Sequence, residues 1–347
     1  MRIKFKSIVI ALLFLSGFAA KATDGLVKKE KKISKAYNVN ADAIADIKNK
    51  YGNIYVATWD ENKIQIDVVI TVEGRDEKKV DKRLSSIDVA FEALKAKISA
   101  KTIFGGEAEN KTNMEVNYTV RIPRKGSIDL NNKYGNIIVD RISGYANIDC
   151  QYGNLTIGDL QGDINSIRLK YCDKTTIGSA KSITLDSQYS NVNLKKADNI
   201  IYSGDYSNFS AQETGKVIYK GDYGELFLGE VDDITIRGDY LTMKIVMLNK
   251  NLASNTSYSN LNLGIAAKAN NVAINGDYSN FEIRYDADYS FDFDIALRYT
   301  DLKSSGLTFQ SKKESGTSSN YKGFYKSAGK NKLNIALEYG DLKLIRI

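Results

Sequence analysis

Apolar and polar residues alternate with a period of two through much of the chain, which is the pattern of β-strands. Around Tyr223, for example, every second position is apolar, at Val217 and Tyr219 before it and at Leu226 and Leu228 after it. The parity of the alternation shifts just after the tyrosine. The pattern therefore predicts a corner at this point, between two short strands.

The predicted corners carry a recurring motif, which is a tyrosine followed by a small residue, then Asn or Asp, then an apolar residue. Full copies begin at Tyr134, Tyr152, Tyr189, Tyr206, Tyr258 and Tyr278. Degenerate copies begin at Tyr171, Tyr223, Tyr240, Tyr299 and Tyr339, and an early, isolated copy begins at Tyr51. Successive copies from Tyr134 to Tyr299 are 17 to 21 residues apart, whereas the last step, to Tyr339, is 40 residues.

A repeat of about 18 residues with two or three short strands cannot bury its own apolar side, but stacked repeats can. The repeat therefore predicts a mainly β protein, a parallel β-solenoid of about eleven coils that lie about 4.8 Å apart. An antiparallel barrel or sandwich is the alternative, because it also has strands separated by turns. Stacking accounts directly for the return of one residue type at the same corner of each repeat.

Stacked coils would align the repeated tyrosines and asparagines into ladders, with the tyrosines facing inward or lying at a corner. Asparagine tolerates the left-handed backbone that a tight corner needs, and its amide can bond to the amides above and below it. We expect the ladder to be structural rather than a binding site. Its members are Tyr134, Asn136, Tyr152, Asn154, Tyr189, Asn191, Tyr206, Asn208, Tyr258, Asn260, Tyr278 and Asn280.

Composition and pattern divide the chain into segments. Residues 1–22 are a predicted signal peptide and residues 23–35 a basic linker. Residues 36–125 are a predicted small α+β cap, which would protect the exposed edge of the first coil. Residues 126–347 are the predicted solenoid, and within it the Ser-, Gly- and Lys-rich residues 304–332 read as an irregular loop.

Two strands, one helix and one loop of the cap follow from its pattern. Alternating apolar residues predict one strand at Ile64–Ile70 and another at Val116–Ile122, which is followed by the only proline, Pro123. The charged stretch Asp76–Leu84 has apolar residues at helical spacing and predicts a short amphipathic helix. Residues 101–113 contain Gly, Glu and Asn and predict a loop.

Removal of the predicted signal peptide, residues 1–22 (the leader), changes the net charge of the chain. Arg2, Lys4 and Lys6 precede a short apolar run, which is typical of a signal peptide, and an uncleaved anchor is the alternative. No later stretch is apolar enough to predict a transmembrane segment after cleavage. Of the 49 basic residues four lie in the leader, so 45 remain against 42 acidic residues, a net charge of +3. This near balance argues against a nucleic-acid partner.

The composition also excludes some chemistry. The chain contains no histidine, which excludes histidine-based catalytic triads and histidine-ligated metals. Its two cysteines, Cys150 and Cys172, could form a disulfide in an exported protein. The repeat register places their Cα atoms about 10 Å apart, which is beyond disulfide reach, so two thiols are predicted.

A stripe of carboxylates is the strongest candidate for a cation site. Asp205, Asp222 and Asp239 precede the tyrosines of three consecutive repeats, and stacking would bring these like charges within about 5 Å of one another. Lys220 and Arg237 are predicted to lie on the same outward face and to neutralise them. A bound Ca²⁺ is the alternative, and no other cofactor is expected.

A second acidic group approaches the spacing of a calcium loop but lacks its central glycine, so it predicts a solvated strand face, with a weak cation site as the alternative. The group consists of Asp286, Asp288, Asp292 and Asp294. No residues are marked as a catalytic pair, and none is expected to be catalytic.

The motifs together resemble those of a known family. Tyr51-Gly52-Asn53-Ile54, the Trp59-Asp60 turn, the strand Val116–Pro123 and the later tyrosine repeats are similar to the putative adhesin domain family of bacterial envelope β-solenoids. This family is related to the auto-transporter adhesin head-like domains frequent in Bacteroidetes-type bacteria. The resemblance covers residues 30–347. It implies a right-handed parallel β-helix and no established enzymatic activity, and it supplies no catalytic residues.

These features favour an exported, non-enzymatic β-solenoid that serves as an adhesion, scaffold or contact module for an envelope protein or glycan. Two alternatives stay open. One is an accessory of envelope-stress signalling that binds a periplasmic partner, and the other is a β-helix polysaccharide lyase or hydrolase. The expected location is the periplasm or the outer cell surface.

Overall fold

A computed structural model of the protein describes residues 25–106 and 112–347. The predicted signal peptide, residues 1–22, lies outside this part of the chain. The described residues are mainly β, as predicted, with 23 strands and one α-helix. The chain falls into two compact units, residues 1–162 (unit 1) and residues 163–347 (unit 2).

Unit 1 contains eleven strands and one helix in its described part. In chain order these are β1 (Val27–Asn38), β2 (Ile44–Lys50), β3 (Ile54–Trp59), β4 (Lys63–Gly74), α1 (Glu77–Ser85), β5 (Ile87–Leu94), β6 (Lys97–Phe104), β7 (Thr112–Pro123), β8 (Ser127–Lys133), β9 (Ile137–Ile142), β10 (Ala146–Gln151) and β11 (Leu155–Leu160).

The strands of unit 1 pair into two rows. One row runs β1–β4–β7–β3–β9–β11 and the other runs β5–β6–β2–β8–β10. The pairs β1–β4, β4–β7 and β5–β6 are antiparallel, and the remaining pairs are parallel. Hydrogen bonds link the rows: Asn49 Nδ2 donates to the Val116 carbonyl at 2.8 Å, and the Thr102 and Tyr118 hydroxyls are 2.7 Å apart.

The predicted cap elements are largely present. The apolar residues that alternate in β4, from Ile64 to Ile70, are buried, as are those of β7, which ends at Pro123. Helix α1 begins after Asp76, whose carboxylate accepts the Lys78 and Lys79 amides at 3.0 and 3.3 Å. Asp76 is therefore the N-cap residue of the helix, and it satisfies backbone amides that have no partner within the helix.

The structure differs from the prediction at three places in unit 1. Strand β1 occupies most of the segment predicted as a basic linker, because its whole length pairs in antiparallel with β4. Two of its lysines, Lys29 and Lys31, pair with Asp81 and Asp88 at 2.7 and 3.0 Å. Strand β6 extends to Phe104, into the predicted loop. The early tyrosine motif is not isolated, because the strands on either side of it, β2 and β3, pair in parallel with β8 and β9.

Unit 2 contains twelve strands. In chain order these are β12 (Asn165–Lys170), β13 (Thr175–Gln188), β14 (Asn191–Asp205), β15 (Asn208–Asp222), β16 (Gly224–Asp239), β17 (Leu241–Ser257), β18 (Asn260–Ile265), β19 (Val272–Tyr285), β20 (Phe291–Ser304), β21 (Thr308–Ser315), β22 (Ser318–Tyr325) and β23 (Asn331–Arg346).

Consecutive strands from β12 to β17 pair in parallel, and the register follows the sequence repeat. Asn191, for example, pairs with Asn208, 17 residues later. Equivalent apolar residues line up in one buried column, which runs through Ile200, Val217 and Ile234. Each repeat therefore buries the apolar side of its neighbour, as the sequence predicted. The handedness and the number of coils stay predictions.

The segment 304–332, predicted as an irregular loop, is mostly strand. Strands β21 and β22 form an antiparallel hairpin, and β22 pairs with β20. The last strand, β23, pairs in parallel with β19 on one edge and with β20 on the other. The order of strands in space therefore differs from their order in the sequence.

Two further findings concern the described residues as a whole. Across residues 25–106 and 112–347, no helix has the length and apolar character needed to cross a membrane. Cys150 and Cys172 are buried thiols and form no disulfide, as predicted.

Candidate functional site: the tyrosine edge

The tyrosines of the repeated motif share an unusual backbone conformation. Each of the twelve has a positive φ, between 49° and 62°. Bulky side chains rarely adopt this left-handed region, which costs about 1–2 kcal/mol per residue. We expected asparagine to take this conformation, but the tyrosine two positions before it does so. The residues are Tyr51, Tyr134, Tyr152, Tyr171, Tyr189, Tyr206, Tyr223, Tyr240, Tyr258, Tyr278, Tyr299 and Tyr339.

The left-handed corner stacks the tyrosine rings on one another. In unit 2 the stack runs from Tyr171 to Tyr278, with neighbouring ring centroids 4.6–5.1 Å apart and ring planes within 11° of parallel. It continues to Tyr339 and ends at Tyr299. In unit 1 the rings of Tyr51, Tyr134 and Tyr152 are 5.1–5.3 Å apart. We call these rings the tyrosine edge of each unit.

The tyrosine edge lies at the surface. Tyr206 and Tyr278, in the middle of the stack in unit 2, are 52% and 51% exposed. Because neighbouring rings cover their faces, the exposed parts are the ring margins and the hydroxyl groups. Burial within the stack nevertheless raises the pKa of Tyr223 and Tyr339. The edge is thus a row of partly exposed phenol groups at regular spacing.

The asparagines form a second row beside the tyrosines. In unit 1 the Asn136 side-chain oxygen accepts the Asn154 amide N–H at 2.9 Å. In unit 2 the Asn208 side-chain amide donates to the Asn191 side-chain oxygen at 2.9 Å, and Asn280 donates to Asn260 at 3.0 Å. These bonds run between adjacent repeats, so this row has a structural role.

The residue that precedes the tyrosine varies in charge along the edge. In unit 1 it is Lys50, Lys133 or the neutral Gln151, and the two ammonium groups lie 4.6 and 5.0 Å from the centroids of the rings that follow them. In the middle of unit 2 it is Asp205, Asp222 or Asp239, all exposed. Carboxylates therefore flank the middle of the tyrosine edge in unit 2, whereas cations occur beside the edge in both units, at Lys50, Lys133, Lys170 and Arg298.

The carboxylates of unit 2 are not neutralised as predicted. Neither Lys220 nor Arg237 forms an ion pair with a described residue. Instead, Asp222 accepts the Asp239 backbone N–H at 2.8 Å, and Asp239 accepts the Ser257 backbone N–H at 2.9 Å. Backbone amides stabilise carboxylates through charge-assisted hydrogen bonds. In the described chain, no cluster of three or more Cys, Asp or Glu residues is suited to hold a metal ion.

The other acidic group holds the segment that leads into β23. Asp288 pairs with Lys326 at 2.5 Å, and Lys326 lowers the pKa of Asp288. Asp292 accepts the Gly329 amide at 2.9 Å. Asp294 pairs with Lys322 of β22 at 2.8 Å. These carboxylates thus have protein partners, and they attach the inserted hairpin and the segment after it to β20.

Unit 1 also contains an open groove of about 400 Å³ beside its tyrosine edge. Tyr51 and Tyr134 line it together with Lys28, Glu73 and Glu115. The sequence carries no signal for this groove, because the lining residues come from distant strands and share no motif. A ligand in the groove would meet ring margins, two carboxylates and one ammonium group.

Comparisons with known proteins give matches among solved structures only. No protein family model matches the chain, and no curated protein matches it. A putative adhesin from Parabacteroides merdae is 12% identical, with a TM-score of 0.40, over 91% of this chain and 96% of that one.

Two further solved structures are more distant. A putative cell adhesion protein from Clostridium sporogenes is 11% identical, with a TM-score of 0.19, over 92% of this chain and 100% of that one. A putative lipid binding protein from Parabacteroides distasonis is 8% identical, with a TM-score of 0.27, over 92% and 96%. The chain resembles proteins described as putative adhesins, which is the resemblance that its motifs indicated.

Proposed function

We propose that the protein is an exported, non-enzymatic β-solenoid of the bacterial cell envelope that acts as an adhesion or scaffold module. In this proposal the solenoid is right-handed and has about eleven coils. The tyrosine edge is its contact surface, and the partner is a glycan or another envelope protein. No cofactor takes part.

The energetics of the tyrosine edge support this proposal. Each left-handed tyrosine costs about 1–2 kcal/mol in backbone conformation, which glycine would largely avoid. Each stacked pair returns about 0.5–1.5 kcal/mol, and an inner ring such as Tyr206 makes two pairs. The two terms nearly cancel, so the stacking geometry by itself gives tyrosine little advantage over glycine, and the apolar area that each ring buries adds a further gain. The exposed half of each ring adds nothing to folding, and a role outside the fold accounts for it.

The exposed groups suit an elongated partner. Ring margins supply apolar contact area, and the hydroxyls supply hydrogen bonds, a combination that makes tyrosine frequent at interfaces. Because the rings stand about 5 Å apart, a partner with polar groups at a similar repeat can bond to several hydroxyls at once. An extended glycan chain has such a repeat.

The proposal is tested by removing tyrosines while keeping the backbone corner. We expect the triple variant Y206G/Y223G/Y240G to fold and to bind isolated bacterial envelopes or purified envelope glycans at least about tenfold more weakly than the native protein. The matched control is I201T/I218T, which changes two exposed residues of the neighbouring strand face. Unchanged binding by the triple variant, or equal loss in the control, would refute the tyrosine edge as the contact surface.

The location is tested by adding protease to intact cells. Digestion without lysis would support adhesion at the outer surface. Protection until the outer membrane is opened would move the protein to the periplasm. A periplasmic partner, including one in envelope-stress signalling, would then replace the adhesion hypothesis.

The groove of unit 1 favours a second candidate function, which is cleavage of an acidic glycan. Glu73, Glu115 and Lys28 supply carboxylates and a cation of the kind that such chemistry uses. The test compares the native protein with E73Q/E115Q on a panel of acidic polysaccharides. Release of reducing or unsaturated ends by the native protein alone would support this candidate, and no release by either protein would reject it.

A further inference from the structure

The last strand of unit 2 lies inside the sheet rather than at its end. Residues Val272–Tyr285 of β19 pair with β23 on one edge, and residues Phe291–Ser304 of β20 pair with it on the other. Both pairings are parallel. Strand β23 therefore occupies the position between two strands that precede it in the sequence.

Strand β23 also completes the core and the tyrosine edge at this position. Its inward-facing leucines and isoleucine, from Leu333 to Leu344, are at most 3% exposed. Its tyrosine, Tyr339, stacks on Tyr278 at 4.7 Å and on Tyr299 at 4.6 Å. Without β23, the edges of β19 and β20 that now bond to it would be unpaired, and the stack would be interrupted.

Because β23 comes last in the sequence, the edges of β19 and β20 stay unpaired during folding until β23 is added. Strands β19 to β22 are all made before β23, so β20 and its hairpin must leave a slot of one strand width for it. Unpaired strand edges beside buried apolar positions accept an added strand readily, because the added backbone satisfies both edges. The slot has the register and the side-chain pockets of β23 itself.

A short segment holds β23 in its own slot. Residues 326–330 connect β22 to β23, and three contacts anchor them to the start of β20. Lys326 pairs with Asp288 at 2.5 Å, the Ser290 hydroxyl donates to the Ser327 carbonyl at 2.9 Å, and Asp292 accepts the Gly329 amide at 2.9 Å. We call this segment the latch. A β23 strand from another chain would make the same slot contacts, and only the latch would have to rearrange.

We infer that copies of this chain exchange β23, so that residues 331–346 of one copy fill the slot between β19 and β20 of another. Reciprocal exchange closes a dimer, whereas exchange in one direction builds a longer chain of copies. The tethered strand has a high local concentration at its own slot, so monomers dominate in dilute solution and exchange increases with protein concentration. Exchange would join several tyrosine edges in one assembly.

The exchange is tested with two chains in which Cys150 and Cys172 are replaced by alanine, so that each chain carries only one introduced cysteine. Ala296 of β20 and Ala336 of β23 are paired residues, and both are exposed. A296C and A336C chains with different tags are mixed in denaturant, refolded together at high concentration and then oxidised. We expect a disulfide between residues 296 and 336 of differently tagged chains, identified by mass spectrometry of the linked peptide.

The matched control replaces A296C with A253C. Ala253 is also an exposed alanine, but it lies in β17, which pairs with β19 and not with β23. Disulfide formation at the control level, or no dependence on protein concentration during refolding, would overturn the inference.

The latch gives a second, independent test. The variant D288N/D292N weakens the two carboxylate contacts of the latch, so we expect several-fold more exchanged species at equal protein concentration. The control D294N removes a carboxylate of the same strand that contacts Lys322 of β22 instead. An equal effect of both variants would contradict the role of the latch.

If the cysteine variants fail to fold, the exchange is tested instead by binding of a labelled peptide of residues 331–346. We expect the native full-length chain to retain this peptide after refolding in its presence and to release a scrambled peptide of the same composition. Equal retention of the two peptides would show that the slot has no preference for β23, and this result would also overturn the inference.

Discussion

The two units build the same corner with different chemistry. In unit 1 the residue after the tyrosine is glycine, at Gly52, Gly135 and Gly153. In the full copies of unit 2 it is serine, and four of these serines are buried, namely Ser190, Ser207, Ser259 and Ser279. The tyrosine keeps its left-handed backbone in both units. The contrast shows that the tyrosine defines the corner, while the next residue decides how adjacent corners are held together.

In unit 1 the corners approach one another through their backbones. A Cβ atom placed on Gly135 would lie 1.9 Å from the carbonyl oxygen of Gly52, and one on Gly153 would lie 2.0 Å from that of Gly135. The Gly52 carbonyl accepts the side-chain amide of Asn132 at 2.8 Å. Asn132 is buried two positions before Tyr134. The polar group that stabilises the corner thus comes from the preceding strand.

In unit 2 the serine hydroxyl itself bridges adjacent corners. The Ser207 hydroxyl donates to the Asp205 carbonyl at 2.9 Å and accepts the Ser190 amide at 3.0 Å. The Ser279 hydroxyl similarly donates to the Asp277 carbonyl and accepts the Ser259 amide. The serines therefore form a buried row of hydrogen bonds that unit 1 replaces with close backbone contact.

The largest expected effect comes from adding a side chain to a corner of unit 1. We predict that G135A destabilises the protein by about 3 kcal/mol, because the new methyl group would collide with the Gly52 carbonyl, a backbone atom that cannot move aside alone. Denaturant unfolding measures the change. The control G316A adds the same methyl group where no atom lies within 4 Å, although its φ of 59° still costs about 1 kcal/mol.

The variant G135S tests whether serine can replace glycine at a corner of unit 1. If a serine at residue 135 recovered most of the stability lost in G135A, the two corner types would be interchangeable and the contrast between the units would be one of composition only. We expect no such recovery, because the collision involves the Cβ atom that both substitutions share.

The next effect concerns the buried tyrosines of the two cores at high pH. In unit 1, burial raises the pKa of Tyr118 to about 12, although its hydroxyl bonds to Thr102 at 2.7 Å. In unit 2, burial raises the pKa of Tyr219 further, and its hydroxyl has no partner among the described residues. Between about pH 10 and pH 12 the unfolded chain loses these protons and the folded chain keeps them, so stability falls as pH rises.

We therefore predict that Y219F and Y118F each reduce the loss of stability between about pH 9 and pH 12 by about 2 kcal/mol. At neutral pH the two variants should differ. Y118F removes a buried hydrogen bond and should cost about 1 kcal/mol, whereas Y219F removes a hydroxyl without a partner and should be neutral or stabilising. Equal behaviour of the two variants at neutral pH would contradict this difference between the cores.

A hydroxyl deletion in the serine row should have the third largest effect. We predict that S207A costs about 2 kcal/mol, because it leaves the buried Ser190 amide and the Asp205 carbonyl without this partner. The control S203A removes an exposed hydroxyl from the neighbouring strand and should change stability by less than about 0.5 kcal/mol. A loss as small as that of the control would show that the serine row does not stabilise unit 2.

The sequence predicted the repeat, its parallel register and the buried alternation, since these depend on local period and on the return of one residue type. It did not predict which residue is left-handed. General preferences point to asparagine, and the opposing gain from stacked rings at Tyr206 is visible only when the repeats lie side by side.

The sequence also did not predict the spatial order of the last strands. The copies at Tyr299 and Tyr339 have the same pattern, so each could follow Tyr278 in the stack. Long-range pairing decides between them, and it places Tyr339 first. The sequence contains only a weak indication of the hairpin formed by β21 and β22, which is the alternation of Tyr321, Gly323 and Tyr325 after Gly316. The polar composition of residues 304–332 obscured it.

The smallest expected effect tests the feature that the two units share. At Tyr206, Y206A keeps the left-handed cost of about 1–2 kcal/mol and loses two stacked pairs, whereas Y206G loses the same pairs and relieves the backbone. We predict that Y206G is more stable than Y206A by about 1 kcal/mol. Denaturant unfolding of the three proteins measures this order. If Y206G were instead as unstable as Y206A, stacking would contribute more than the backbone costs, and tyrosine would be explained by folding alone. The stability of the tyrosine edge would then no longer favour a contact surface there, while the exchange of β23 would be unaffected.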